Sequence, residues 1–266
     1  MDILRQELNE IYSRQHLERE TLSDSEFQKV VEAVGTFAEV QNVCAVITDL
    51  SGDHSLIFPQ SLGMRLGVAD GFVIGADNGR FFHEVPSTDE DAIYSLIHPE
   101  DLVYKRLLEY KFFLHVEKCD AESRLDYKAV CRIRIKSQDG NYIYVDNSTQ
   151  LLKLSPSGRM WLVLCTYRFA ESSEAVEGID ARIVNTGTGE IIACRLTESR
   201  DSILSQCEKE ILCCIREGML SKEIADRLHI SINTVSRHRQ NILRKLSVGN
   251  SMEAVNAAVS MRLLQT

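Results

Sequence analysis

Between Ser205 and Leu264 the chain sets out four helical starts and stops in close succession, and this spacing constrains the fold more than any other feature. Ser205-Gln206-Cys207-Glu208 is a capping box, Ile211, Leu212 and Ile215 follow at helical spacing, and Gly218 ends the helix. Ser221 to His229 predicts a second, short helix burying Ile224, Ala225 and Leu228. Ser231 caps a third, from Ile232 to Leu246, with Val235, Ile242 and Leu246 as its buried stripe. A fourth is expected from Ser251 to Leu264, carrying Ala254, Val255, Ala258 and Leu263. Each helix is amphipathic and must bury one face, so an all-α unit with its own core is expected here.

Charge adds a direction to this unit. The whole chain is acidic, 30 Lys+Arg against 39 Asp+Glu, net −9. From Thr197 onward there are ten basic and eight acidic residues, +2, which leaves −11 for the first 196. No acidic residue falls between Asp226 and Glu253, whereas Arg227, Arg237, Arg239, Arg244 and Lys245 do. A basic stripe on an acidic protein still meets phosphates, because charges beyond a Debye length of about 8 to 10 Å are screened. Two helices joined by the Ile230-Ser231 connection, the second basic and free of acid, are what a helix-turn-helix needs.

The run LSQCEKEILCCIREGMLSKEIADRLHISINTVSRHRQNILRKLSVGNSMEAV, Leu204 to Val255, closely resembles the LuxR/GerE-type helix-turn-helix of bacterial transcription factors. It departs from that family at Cys207 and Ser251, where Arg is frequent. The resemblance implies that Ser236, Arg237 and Gln240 reach base edges, and the chemistry suits: Arg forks onto guanine and Gln pairs with adenine. Lys222, Thr234, Arg239, Asn241, Arg244 and Lys245 are read as phosphate contacts that set register. Arg239 has solvation as its alternative, and His238 is read as a packing or backbone-bonding histidine. The resemblance implies a sequence-specific transcriptional regulator bound to double-stranded DNA as a homodimer, on half-sites about one helical turn apart. RNA polymerase is a further candidate partner. Val255 and Ala258 are candidate dimer contacts, because the apolar stripe of the last helix exceeds what a three-helix head needs.

The first two-thirds has a different texture. Residues 1–39 carry two helical patterns, Leu4, Leu8, Ile11, Tyr12 and then Phe27, Val30, Val31, Val34, Phe37, divided near Ser23 to Ser25. They serve either packing or dimerisation. Strands follow at Val43 to Thr48, Ser55 to Phe58 and Phe72 to Ile74, then at Val130 to Ile135, Tyr142 to Leu152 and Met160 to Phe169. Helices are expected between the two groups, near Asp89 to Leu96 and Pro99 to Phe113. Two strands, several short helices and a three-stranded meander make an α+β order. Ile97-His98-Pro99-Glu100-Asp101-Leu102 and the run Cys131 to Phe169 resemble a PAS domain. The expected division is 1–39 N-terminal helices, 40–172 a PAS-like sensor, 173–203 a hairpin and linker, and 204–266 the DNA-binding head. Within 173–203, Ala181 to Arg195 reads as a hairpin and Thr197 to Ile203 as a linker helix.

PAS resemblance implies sensing through a ligand, cofactor or partner held on the inner sheet face, and it leaves the cofactor unknown. The Asn-Cys-Arg-Phe-Leu-like motif of light-sensing flavin domains is absent, and His98 reads as a helix-start residue rather than a haem ligand. Cys131, Ile133, Tyr144 and Cys165 line a pocket or fill a core, with core preferred. The eight cysteines include no C-x-x-C pair and are read as thiols, and no metal site is expected. No G-x-S-x-G elbow, P-loop or H-E-x-x-H is present, so an enzyme is not expected. Asp49 ends an apolar strand but lacks the parallel strands of a phosphorylated receiver. No apolar run approaches the roughly 18 residues of a membrane span and no signal-peptide h-region opens the chain, so a cytosolic protein without membrane contact is expected. The rival reading is a signalling adaptor that uses both modules for protein contacts.

Overall fold

The Ser23 hydroxyl accepts the Glu26 amide at 3.3 Å and begins helix α2 (Asp24–Gln41), separating it from α1 (Ile3–Ser13) at the predicted break. The structure is a computed structural model, which describes every residue except 1–2, 18–20, 53, 69–72, 78–79, 86–90, 173, 175, 177, 195, 197–203, 247, 261–262 and 265–266. The expected linker helix Thr197 to Ile203 lies outside the described residues. The chain divides into two compact units, Glu10–Cys194 and Met1–Asn9 with Arg195–Thr266. The fold is α+β.

Among the described residues, the larger unit is built on one antiparallel sheet of nine strands: β1 (Cys44–Asp49), β2 (His54–Phe58), β3 (Val73–Asp77), β4 (Arg80–Val85), β5 (Tyr127–Lys136), β6 (Tyr142–Leu154), β7 (Met160–Phe169), β8 (Arg182–Asn185) and β9 (Ile191–Ala193). Their order across the sheet is β3-β4-β2-β1-β7-β6-β5-β8-β9. The central register sets Val46 opposite Cys165, Cys165 opposite Thr149 and Ile133 opposite Val145. Side chains alternate between faces. Cys131, Ile133, Val145, Asn147, Thr149 and Cys165 are buried on one face. On the other, Ala45, Ile47, Leu56, Phe58, Trp161 and Leu164 join Val31, Val34 and Ala38 of α2 in a second core. Helices α3 (Gln60–Leu66), α4 (Asp91–Tyr94) and α5 (Pro99–Lys118) fall between β2 and β5. Of the four strand residues left open as pocket or core, Cys131, Ile133 and Cys165 are buried and Tyr144 is half-buried.

The structure departs from the sequence expectation in several elements. β4 and α3 were not expected, and α5 runs to Lys118 rather than Phe113. Asn78-Gly79 stands between β3 and β4, the dipeptide that a two-residue hairpin favours. The β8–β9 hairpin is not a free connection between modules. It pairs Ala129 with Ile183 and so extends the sheet beyond β5.

The smaller unit holds α6 (Gln206–Arg216), α7 (Ser221–Leu228), α8 (Ile232–Leu246) and α9 (Ser251–Ser260). α9 is described to Ser260, and residues 261–262 of the stretch predicted to reach Leu264 lie outside the described residues. Leu204, Ile211, Leu212, Ile224, Val235, Ile242, Ala254, Val255 and Ala258 form its core. Val255 and Ala258 are 4% and 0% exposed, which corrects their reading as dimer contacts: the fourth helix spends its apolar stripe on the unit's own core. Among the described residues no helix is long and apolar enough to cross a membrane.

Candidate nucleic-acid interface

The short turn into α8 is held from both sides. His229 adopts a left-handed conformation, φ 53°, and its amide reaches the carbonyls of Ala225 and Asp226, closing α7. Two residues on, the Ser231 hydroxyl accepts the Thr234 amide at 3.0 Å and opens α8. The Ser205–Glu208 capping box forms as predicted, with Ser205 N donating to the Glu208 carboxylate at 2.7 Å.

α8 has a sharp division of labour around its circumference. Val235, Ile242 and Leu246 face the core. At about 100° per residue, Asn233, Ser236, Arg237, Gln240 and Arg244 fall together in an arc of roughly 100° on the opposite side. All five are exposed. The three predicted base contacts therefore share one free face. Asn233 stands on the same arc and was missed by the sequence reading; a helical wheel drawn from Val235 would have found it.

The predicted phosphate contacts divide into three kinds. Lys222 and Arg244 are exposed, and Asn241 lies half-buried at the flank of the arc. Thr234 is engaged at the cap, its hydroxyl 2.8 Å from that of Ser231. Lys245 and Arg239 are engaged within the unit itself. Lys245 Nζ lies 2.6 Å from Glu208 Oε2, and Glu208 is only 3% exposed, so this cation ties α8 to the start of α6. Burial works against the charged form of Glu208, but the Lys245 ammonium and the Ser205 amide outweigh it, and the carboxyl titrates below its ordinary value. Arg239 donates to Ser221 Oγ at 2.7 Å and Ser251 Oγ at 2.8 Å, joining α7, α8 and α9. It is half-buried and turned away from the open arc. His238 sits beside Cys207, Nε2 to Sγ 3.7 Å, in the packing position expected of it.

The larger unit holds a polar cluster that the sequence reading also missed. Lys105 of α5 is fully buried, paired with Glu109, with Thr149 Oγ1 at 3.4 Å and the Tyr94 ring 5.5 Å away. Tyr94 donates to the same carboxylate at 2.7 Å. Its neighbour Cys131 is a thiol pushed up to about 12 by burial. Asp49, 7% exposed, accepts the Trp161 indole at 3.1 Å and the Ser51 amide at 2.8 Å, which makes it a structural residue of the antiparallel sheet. His98, Glu100 and Asp101 bring ligand-type atoms within 4.8 Å of one another. Arg134 supplies the cation there, Nη2 lying 2.6 Å from Asp101 and 3.0 Å from Glu100. His98 Nδ1 accepts the Glu100 amide at 3.3 Å, the helix-start role expected of it.

Comparison with known proteins places the head. Residues 202–258 match the family described as bacterial regulatory proteins, luxR family. The response regulatory protein YgeK of Escherichia coli K12 is 32% identical over 120 residues, 44% of this chain and 79% of its own length. The oxygen regulatory protein NreC of Staphylococcus epidermidis is 31% identical over 117 residues, 43% of this chain and 53% of its own. The chain thus spans about half the length of NreC. Among solved structures, the VqmA dimer of Vibrio cholerae covers 88% of this chain and 92% of its own at 13% identity, with a TM-score of 0.29.

Proposed function

The chain belongs to the luxR family of bacterial regulatory proteins, and from that premise we propose that it is a sequence-specific, DNA-binding transcriptional regulator. The observation that carries the reading is the exposed, acid-free arc of Ser236, Arg237 and Gln240 on α8, with its back packed on a complete four-helix core. Arg237 and Gln240 read base edges in the major groove, joined by Asn233. Lys222 and Arg244 hold phosphates and set register without reading sequence. Nothing in this function is catalytic: the family's members are regulators, and affinity and its modulation are the output.

The larger unit is the input. Two strands, then helices, then the β5–β6–β7 meander, joined side by side as β2-β1-β7-β6-β5, support a PAS-like domain over residues 40–172. The hairpins β3–β4 and β8–β9 extend it at both edges. A ligand or partner sensed by this domain changes the affinity of the head for its operator.

Footprinting of the full chain, repeated with Arg237→Ala, tests the proposal. The variant loses about 1 to 3 kcal/mol of discrimination at one base pair and keeps its fold. Unchanged protection by the variant, or affinity that ignores sequence and falls only weakly with salt, would sink it in favour of an adaptor that docks proteins.

A further inference from the structure

On the face of the sheet away from Lys105, beside Phe37 and Gln41 of α2, opens a groove of about 580 Å³. That volume falls within the roughly 300 to 1,000 Å³ of small-ligand sites. Strand register lays out its floor as a grid. One row runs Arg182, Val130, Ser148, Thr166 across β8, β5, β6 and β7. The row on one side sets Lys128 opposite Gln150, and the row on the other places Asp146 between Arg132 and Arg168. Residues two apart on a strand share a face, so these side chains all rise from the same side.

The charges in this grid do not cancel. Arg132 donates to both oxygens of Asp146, at 2.8 and 3.4 Å, and Arg182 Nη2 lies 2.8 Å from Asp180. Among the described residues Lys128 and Arg168 meet no acid, so the groove carries two positive charges in excess. Two further donors lack an acceptor from this chain. Arg182 Nε is closed off from solvent and has no partner among the described residues. The Ser148 and Thr166 hydroxyls lie 2.8 Å apart, where one hydrogen serves the contact and the other remains to be donated. A donor shut away from water without an acceptor is costly, and a ligand oxygen relieves that cost.

We propose that this groove binds a small organic phosphate, its dianionic group over the Ser148–Thr166 pair and its carbon skeleton against Phe37 and Val130. Two uncompensated cations call for two negative charges. A phosphate monoester carries about −1.5 to −2 on one group at pH 7, whereas a carboxylate carries only one. Lys128 and Arg168 stand at opposite corners of the grid, each two residues along its strand from the central row, and so flank that group. Phe37, 43% exposed, and the half-buried Val130 supply the apolar surface that ligand sites combine with a few polar groups. Strands rather than loops hold most of the donors, which keeps the site preorganised. Binding here is independent of whether the head reads DNA.

Phenyl phosphate, a minimal compound that joins such a group to a ring, tests this on the full chain by saturation-transfer NMR. It is expected to bind saturably with a Kd below about 1 mM, and about tenfold tighter than phenol or than inorganic phosphate measured by competition. Lys128→Ala and Arg168→Ala should each weaken it by about tenfold, the loss of one charge-assisted contact. Lys136→Ala, an exposed cation of β5 outside the groove, should change nothing. Asp146→Asn removes an acid from the floor and should tighten binding, a gain that a misfolded variant would not show. Absence of saturable binding up to about 10 mM overturns the proposal. So does phenyl phosphate binding no tighter than inorganic phosphate, or binding indifferent to Lys128→Ala and Arg168→Ala.

Discussion

Arg244 and Lys245 are neighbours in sequence, alike in charge, and placed for different work. Arg244 stands on the open arc of α8, whereas Lys245 is turned a further 100° and spends its ammonium on the buried Glu208 carboxylate. Arg244→Ala should reduce the slope of log affinity against log salt by about one unit and leave thermal stability alone. Lys245→Ala should do the reverse, lowering the stability of the head by about 1 to 3 kcal/mol because a nearly buried carboxylate loses its partner. A salt titration of binding beside a melt of each variant separates the two. Glu208 also gives a pH prediction. Its carboxyl titrates lower in the folded than in the unfolded chain, so its stabilising contribution is present above the unfolded value of about 4.3 and is lost as pH falls through the lower, folded one. Acid unfolding followed by circular dichroism should flatten in this range for Glu208→Gln. The different fates of the two cations were not legible in the sequence, since Lys245 is a surface-type residue in a basic run and its partner is 37 positions upstream. That Arg237 and Gln240 share one exposed face was legible, because a face needs only the period of one helix.

At the scale of the element, period alone located α6, α7 and α8, each of which buries a simple apolar stripe and starts at a recognisable signal. α9 shows where such reasoning overreaches. Its stripe was correctly seen as apolar, but whether that face meets the same chain or another depends on three helices packed around it, which no single-helix period contains. Val255→Asp, placed in this core, should therefore unfold the head rather than release a folded monomer, at a cost of more than about 3 kcal/mol for an unpaired buried charge. Loss of helical signal together with DNA binding checks this. α5 hid its site for the opposite reason: Asp101, Lys105 and Glu109 repeat every four residues along its inward side, and charges at that spacing read as a solvated face. The strands around that cluster make a reactivity prediction. The Cys131 thiol, held near 12 by burial, should resist alkylation by iodoacetamide at pH 8 while the native fold lasts, and react once denaturant is added. Early labelling at Cys131, seen by peptide mass mapping, would mean that the interior beside Lys105 opens readily.

The described residues pack into separate cores in Glu10–Cys194 and in the helical head, and control of the head by the larger unit would require that the stabilities of the two units be linked. DNA binds only the folded head, so operator at 100 times its dissociation constant should raise the stability of that unit by about 2.7 kcal/mol. If the units are energetically independent, calorimetry of the full chain shows two transitions and operator moves only the head's. If the input unit controls the head, the linkage is reciprocal: whatever the sensed signal does to operator affinity, operator must do to the affinity for the signal, typically by 1 to 3 kcal/mol. The transition of the larger unit should then shift with operator present, and Arg237→Ala should reduce that shift in step with the head's own. We expect the coupled outcome, because the larger unit carries most of the chain and the net charge of −11 over the first 196 residues is unsuited to any direct part in holding DNA. A larger-unit transition that ignores operator, while Lys105→Met or another change inside the sensor leaves operator affinity untouched, would show that the two units only share a chain.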